Sequence, residues 1–456
     1  MVVKGKKNRW LGLVSGSRNR RIFGAALLIT CLTVIAKLAV AVKELALAGY
    51  YGTGVEVDAI LIALLLPMFA INVLAGSFSA ALMPVYVRTR SQVGAAAARD
   101  LISSVSAFAL VFLVAAALVL ALVAPLIIPL LGSGFDVETQ SLALSLFYWL
   151  LPVLVITGIG HIYTIALNAG ERFTSAALAP AMTPIGAVVA LVFWNESLGI
   201  HAVALGTIIG ALIELSIFVV LTSQHDLLKA PRWFGFTSEL KSVLKQYSAM
   251  VAGAVLMSAT VLVDHAMAAM LPSGSVSSLN YASRLVALII GVGALALGTA
   301  ILPHFSQMVA DRAWKDLQNT YRTYRRLTFI ISIPLTFLIF AFSQELIGLI
   351  FERGAFNADD TLLVSETQAF YTLQLPFYIA SILVVRLISA LQENRILFVG
   401  ALISLPLNIL LNYFFMWRYG ISGIAMSTAC VYAISFLFLS LMLKRKLTDR
   451  VQIEQS

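Results

Sequence analysis

Long apolar runs separated by short polar loops dominate the chain. About 20 apolar residues cross the hydrocarbon layer of a bilayer, and a window of that length finds about twelve such runs. The pattern predicts an all-α, polytopic membrane protein, because a helix satisfies its backbone hydrogen bonds within one segment. The predicted spans cover residues 22–50, 57–87, 101–131, 141–167, 174–194, 200–222, 247–271, 277–306, 327–350, 363–391, 396–417 and 422–443.

The composition agrees with a membrane protein. Hydrophobic residues make up 60% of the 456-residue chain and charged residues 12%, and the mean hydropathy is +0.94. These values exclude an ordinary soluble domain. The run 22–42 is too long for a signal-peptide core and lacks a convincing cleavage site, so it predicts a retained first span. Cys31 and Cys430 both lie in apolar runs and predict no disulfide framework.

Positive charge alternates between the loops. It lies at the N-terminus, in the even-numbered loops and in the C-terminal tail, whereas the odd-numbered loops hold only Arg353 and Arg418. By the positive-inside rule, both termini are predicted to be cytoplasmic. The net charge of +9 is then a topology signal with an attraction to anionic membrane lipids, and it does not indicate nucleic-acid binding.

The two halves of the sequence resemble each other. FYWLLP at 147–152 recurs as FYTLQLP at 370–376, and GIHAVA at 199–204 recurs as GISGIA at 420–425. A near-constant separation of about 220 residues predicts a duplicated six-helix unit, with two lobes related by a pseudo-twofold axis along the membrane normal. The predicted domains are an N-terminal lobe (1–222), a cytoplasmic linker (223–245) and a C-terminal lobe (246–456).

No catalytic motif is recognisable. The chain has no G-x-x-x-x-G-K-[ST] sequence, and its five histidines show no H-E-x-x-H or other ligand spacing. We therefore expect transport and not a reaction, with no cofactor and no metal.

Four cations fall inside predicted spans: Lys37, Lys43, Arg284 and Arg386. An arginine within a span costs at least roughly 2.5–3.5 kcal/mol unless it faces protein or water. Guanidinium and ammonium groups in a shared cavity suit a phosphate-bearing substrate. Arg386 lies near the cytoplasmic end of its helix, so a side chain that reaches the interface is the alternative.

Acidic neighbours give further alternatives for the first two spans. Lys37 and Glu44 are seven residues apart and nearly on one helix face, so they are a candidate intrahelical pair, as are the adjacent Lys43 and Glu44. Asp58 is a further candidate site residue, and its alternative is a cap at the outer end of the second span. Arg284 has no acidic residue nearby in sequence.

Several segments resemble the MurJ/MviN family of lipid-linked oligosaccharide flippases, part of the superfamily of multidrug and polysaccharide exporters. The segments are YASRLVALIIGVGALALGTAILPHFS at 281–306, FERGAF at 351–356 and the first-lobe sequence AKLAVAVKELALAGYYGTGVEVDAILIALLLP. The resemblance implies substrate-binding roles for Lys37, Lys43, Asp58 and Arg284. It also implies a polyprenyl-pyrophosphate-linked oligosaccharide as substrate, such as the peptidoglycan precursor lipid II, and cell-envelope synthesis proteins as possible partners.

Other functions remain open from the sequence. Lysines stand where the family has two first-span arginines, so a capsule or exopolysaccharide repeat unit is an alternative substrate. A multidrug or cation antiporter of the same superfamily would need a buried carboxylate, for which Asp264 and Glu214 are the candidates. A third alternative is an envelope-assembly scaffold without transport.

Overall fold

The computed structural model describes residues 18–170, 173–225, 227, 231–233, 235 and 237–455, and the regular elements in this part of the chain are all helices. In chain order these are α1 (Arg18–Tyr51), α2 (Val55–Ala70), a π-helical segment (Ile71–Ala75), α3 (Gly76–Gln92), α4 (Ala95–Leu131), α5 (Val137–Ala169), α6 (Phe173–Leu178), a 3-10 turn (Ala179–Ala181), α7 (Met182–Leu198), α8 (His201–Gln224), α9 (Ser238–Ala268), α10 (Ser275–Ala310), α11 (Trp314–Ala341), α12 (Ser343–Phe351), α13 (Ala358–Thr372), α14 (Leu375–Ala390) and α15 (Arg395–Gln455).

The predicted all-α membrane class is confirmed. Among the residues that the structure describes, nine helical stretches are long and apolar enough to cross a membrane. The predicted first and eighth spans lie on α1 and α10, and α15 carries the last two spans, on either side of Gly420. Predicted spans two and ten are each assembled from consecutive helices, α2 with α3 and α13 with α14.

Two glycines at corresponding positions of the sequence repeat have the same backbone conformation. Gly199, after α7, has φ 54° and ψ −139°, and Gly420 has φ 55° and ψ −136°. A positive φ is open to glycine at little steric cost and strained for other residues, so each glycine ends a spanning helix and allows the next to begin at once. The shared conformation supports the duplication that the sequence predicts, while the lobe boundaries stay a prediction.

The chain divides into two compact units. The first comprises the described parts of Met1–Lys43, Ala70–Leu120 and Trp149–Met250, and the second comprises Glu44–Phe69, Ala121–Tyr148 and Val251–Ser456. The second unit therefore takes two segments from the first half of the sequence. Both segments contain loops that the charge pattern predicts to be on the outer side.

In the first unit, α7 and α8 pack through glycines. A Cβ on Gly206 would lie 2.3 Å from the carbonyl oxygen of Gly186, and one on Gly210 would lie 2.4 Å from that of Met182. Both distances are impossible for a side chain, so these glycines allow the helix backbones to touch. Close approach of small residues is a main source of helix association in a bilayer.

In the second unit, α10, α11, α14 and α15 enclose an apolar core. Its centre includes Phe305, Leu317, Leu383 and Leu443, each 0% exposed. This core holds α10 in a fixed orientation, and α10 carries the arginine that the sequence singles out.

Candidate functional site

Arg284 lies in a polar triad with Glu44 and Asn280. Its Nη2 is 2.9 Å from Oε1 of Glu44 and donates to Oδ1 of Asn280 at 2.6 Å. The Nδ2 of Asn280 donates to Oε2 of Glu44 at 2.9 Å. The three side chains thus form a closed ring of contacts between the C-terminal third of α1 and the first three turns of α10.

The two charges of this triad differ in their exposure. The side chain of Glu44 is 1% exposed, whereas that of Arg284 is 38% exposed. A fully buried carboxylate needs a partner, because an unpaired charge in the interior costs several kcal/mol. Arg284 satisfies that need, and its own side chain stays partly exposed.

The sequence missed this pairing. It placed no acid near Arg284, yet Glu44 from a helix 240 positions earlier lies against it. The available signal was Asn280, which is one turn before Arg284 on α10 and offers both an acceptor and a donor. An amide one turn from a buried arginine is well placed to orient the guanidinium.

The other predicted cations are less enclosed. Lys37 is exposed, and Lys43 and Arg386 are half-buried. Lys37 and Lys43 lie on α1, the helix that supplies Glu44, and Arg386 lies on α14. Their roles in substrate binding stay a prediction.

Asp58 caps the N-terminus of α10. Its Oδ2 accepts from the backbone N–H of Gly274 at 2.8 Å, and its Oδ1 accepts from that of Ser277 at 2.7 Å. The carboxylate is 1% exposed. It satisfies amides that the helix leaves free and faces the positive end of the helix dipole. A direct substrate contact stays a prediction, and the observed contacts show that Asp58 joins the start of α2 to the start of α10.

Further contacts join the end of α1 and the loop after it to α10, to the FERGAF segment and to α13, all in the second unit. The backbone N–H of Ala355 donates to the Gly49 carbonyl at 2.8 Å, and the Tyr281 hydroxyl donates to the Gly52 carbonyl at 3.3 Å. The Thr53 hydroxyl donates to Asp360. We call these contacts, together with those of Asp58, the outer contact cluster. The FERGAF segment, which supplies Ala355, therefore packs against the end of α1.

The two carboxylates suggested for an antiporter are both hydrogen-bonded. Asp264, in the second unit, accepts from Nδ2 of Asn408 at 3.0 Å and of Asn412 at 2.7 Å. Glu214, in the first unit, accepts from the Thr183 hydroxyl at 2.7 Å. Within the described ranges, no three His, Cys, Asp or Glu side chains are grouped closely enough to hold a metal ion.

The fold and this site define a polytopic helical membrane transporter whose triad of Glu44, Asn280 and Arg284 lies between two long helices, α1 and α10. The sequence profile described as lipid II flippase MurJ matches residues 47–455. The chain therefore belongs to the lipid II flippase MurJ family, as the sequence motifs predict, and it is a multi-pass protein of the bacterial inner membrane.

Known relatives and solved structures agree with this family assignment. The lipid II flippase MurJ of Thermosipho africanus is 28% identical over 93% of this chain and 86% of its own length. A solved lipid II flippase MurJ in an inward closed conformation matches with a TM-score of 0.79 and 26% identity, over 92% of this chain and 87% of that one. An inward-facing multidrug transporter of the MATE family has a TM-score of 0.75 over 94% of this chain and 99% of that one, but only 13% identity, so it shows a shared fold alone.

Proposed function

We propose that this chain moves lipid II from the cytoplasmic to the outer leaflet by alternating access, without catalysing a reaction. Membership of the MurJ family supports the substrate. The observation that carries the mechanism is Arg284, a partly exposed arginine inside a spanning helix, held by Glu44 and Asn280. Arg284 presents the planar fork that fits phosphate oxygens. Lys37 and Lys43, on the helix that supplies Glu44, would add charge for the pyrophosphate.

Substrate binding would then compete with an internal ion pair. A pyrophosphate that engages Arg284 draws the guanidinium away from Glu44, and the Glu44 carboxylate loses this ion-pair contact. Removing a cation from beside a buried carboxylate is unfavourable. This cost raises the free energy of the conformation in which Glu44 is buried, so substrate binding disfavours that conformation.

The outer contact cluster supplies the element that would move. Gly49, which accepts from Ala355, is five residues after Glu44 on α1. A shift of Glu44 is transmitted along less than two turns of one helix, since a turn has 3.6 residues. We propose that this shift opens the outer contact cluster and exposes the pyrophosphate to the outer side.

The membrane potential would favour the direction of transport. An inside-negative potential favours moving anionic charge outward by roughly 2.3 kcal/mol per charge per 100 mV. Export of a pyrophosphate therefore needs no nucleotide in principle. The placement of both termini in the cytoplasm, which the basic loops predict, is part of this proposal.

The test replaces the resident peptidoglycan-precursor flippase in a depletion strain with this chain. Growth and outward exposure of labelled lipid II are measured in the same cells. We expect rescue by the natural sequence, loss of exposure with Arg284→Ala, and partial retention with Arg284→Lys. Arg395→Ala removes an exposed cation at the start of α15 and is the matched control, which should retain transport.

Two results would contradict the proposal. Normal lipid II exposure by inserted Arg284→Ala protein would remove Arg284 from the mechanism. Failure of the natural sequence, at normal expression, would exclude lipid II and direct the search to another polyprenyl-linked glycan. Glu44→Gln gives a separate test of the coupling: we expect it to retain binding of a pyrophosphate lipid but to transport slowly, because no buried charge is released.

A further inference from the structure

A groove on the second unit combines an arginine cluster with an apolar wall. Arg322, Arg325 and Arg326 of α11 line a cavity of about 790 Å³ together with Phe329 and Ile333 of the same helix. Phe436 of α15 forms the facing wall. None of these residues belongs to the triad or to the outer contact cluster.

The groove continues along α11 toward the outer side. A second cavity of about 590 Å³ also begins at Ile333 and runs past Phe337, with Phe377 of α14 and Cys430 of α15 on its other walls. Its wall is almost wholly apolar. The aromatic rings of Phe329, Phe377 and Phe436 contact one another with centroid distances of 5.5–6.3 Å. These rings form a shared floor, so the two cavities are parts of one flank groove.

The residues of α11 that line the flank groove lie on a single face of the helix. The arginines and the apolar residues after them recur at spacings of three and four residues, from Arg322 to Phe340. Ten residues beyond Arg326, the helix has risen about 15 Å. This is half of the roughly 30 Å hydrocarbon core, so the groove matches the depth of one leaflet.

The arginines are available to a ligand. In the described part of the chain, no carboxylate forms an ion pair with Arg322, Arg325 or Arg326, and Arg325 lies over the Tyr321 ring at 5.4 Å. Positive residues are common where a helix enters the cytoplasm. Arg322, Arg325 and Arg326 differ from such residues because they line a cavity whose other walls are aromatic and aliphatic.

We propose that the flank groove binds one anionic glycerophospholipid of the cytoplasmic leaflet. Its phosphate would contact the three guanidiniums, and an acyl chain would lie along α11 between Phe329 and Phe377. Three guanidiniums favour a headgroup with net negative charge over a zwitterionic one, whose ammonium they repel. This site goes beyond the proposed transport of lipid II and does not depend on it.

Native mass spectrometry of the purified full-length protein tests the site. Phosphatidylglycerol, phosphatidylethanolamine and a polyprenyl phosphate are titrated separately, because the first and last share the phosphate chemistry but differ in their chains. We expect phosphatidylglycerol to bind about tenfold more tightly than phosphatidylethanolamine, because the three guanidiniums repel an ammonium group. Equal affinity for phosphatidylethanolamine, or tighter binding of the polyprenyl phosphate, would overturn the proposal.

Matched triple variants locate the headgroup site. Arg322→Gln with Arg325→Gln and Arg326→Gln should weaken phosphatidylglycerol binding about tenfold. The control removes the same charge from three other exposed cations at the cytoplasmic side, Arg395, Lys444 and Arg445, and should change the affinity less than about twofold. Equal losses in the two variants would mean that the lipid responds to net charge and would refute a specific site.

An apolar variant tests the groove without altering charge. Ala433 lines the second cavity, and Ala433→Trp would fill it. We expect weaker phosphatidylglycerol binding with all three arginines in place, and this variant keeps the test available if the triple variant does not fold. Unchanged binding by folded Ala433→Trp protein would show that no acyl chain occupies the groove. Lipid II exposure in cells is scored independently, so failure of this site and failure of the transport proposal are distinguishable.

Discussion

Replacing Asp58 by asparagine should shift the protein toward a state that is open on the outer side. Asp58 accepts two backbone N–H groups, from Gly274 at 2.8 Å and from Ser277 at 2.7 Å. A hydrogen bond to a charged group contributes about 1.5–3 kcal/mol, and a neutral one about 0.5–1.5 kcal/mol. The asparagine side chain offers one neutral acceptor, its carbonyl oxygen, to one backbone N–H. Its NH2 group faces the other backbone N–H, and two donors cannot form a hydrogen bond.

The size of the effect follows from these contributions. Two charged bonds, about 3–6 kcal/mol together, are replaced by one neutral bond, so the closed state loses about 2.5–4.5 kcal/mol. Since 1.4 kcal/mol is a factor of ten, the open population should rise roughly 60- to 1,600-fold. Loss of the negative charge at the N-terminus of α10 acts in the same direction.

Cysteine labelling from the outer side measures this population. Ser277 is 0% exposed, and a Ser277→Cys substitution leaves its backbone N–H to bond Asp58. A membrane-impermeant maleimide should therefore modify residue 277 only in the open state. Peptide mass spectrometry at residue 277 separates this signal from Cys31 and Cys430. Glu56→Gln removes a carboxylate from the same turn of α2 and is the matched control.

The labelling rate has a clear refuting outcome. If Asp58→Asn and Glu56→Gln label residue 277 at the rate of the parent protein, the cap of α10 does not hold the outer side closed. If both variants accelerate labelling equally, the effect belongs to lost negative charge and not to the two N–H bonds.

Two glycine substitutions extend the test, with Gly253→Ala as their control, since a Cβ there meets nothing within 4 Å. Gly354→Ala should accelerate labelling of residue 277, because Gly354 has φ 63° and its Cβ would lie 2.1 Å from the Gly49 carbonyl oxygen. Unchanged labelling would show that the structure accommodates this Cβ without opening. Gly210→Leu should lower the melting temperature, because its side chain would clash with the Met182 backbone and overpacking costs about 1–3 kcal/mol. Equal melting temperatures for Gly210→Leu and Gly253→Ala would contradict the close packing of α7 and α8.

The helices were predictable because their signal is local. Apolar runs of spanning length and the charge alternation of the loops are properties of contiguous sequence. The duplication is a prediction of the same local kind, because short motifs such as GIHAVA and GISGIA recur at a separation of about 220 residues. Gly199 and Gly420 then adopt the same backbone conformation. Each glycine occupies the place where a helix must end and restart.

The partners of the charged residues were not predictable in the same way. Glu44 had nearby lysines in the sequence, and a pair within α1 was the natural hypothesis. The structure places Arg284 and Asn280 against it, from more than 230 residues away. Likewise, a cap for α10 was not evident, because Asp58 is 216 residues from Gly274. Such contacts depend on how helices from the two halves of the sequence pack, which hydropathy does not encode.

The charged triad offers a physical reason why an arginine is tolerated inside a spanning helix of a flippase. An arginine within a spanning helix costs at least roughly 2.5–3.5 kcal/mol unless it faces protein or water, and Glu44 gives Arg284 such a protein contact. In return, Arg284 gives the buried carboxylate of Glu44 a cation at 2.9 Å. Each charge therefore stabilises the other when no substrate is bound. In the proposed cycle, a pyrophosphate contacts Arg284 and not Glu44, so binding weakens the Arg284–Glu44 pair on the helix that carries the outer contacts. A ligand shifts a conformational equilibrium only through unequal affinity for the two states, and we propose that the weakened pair provides this difference.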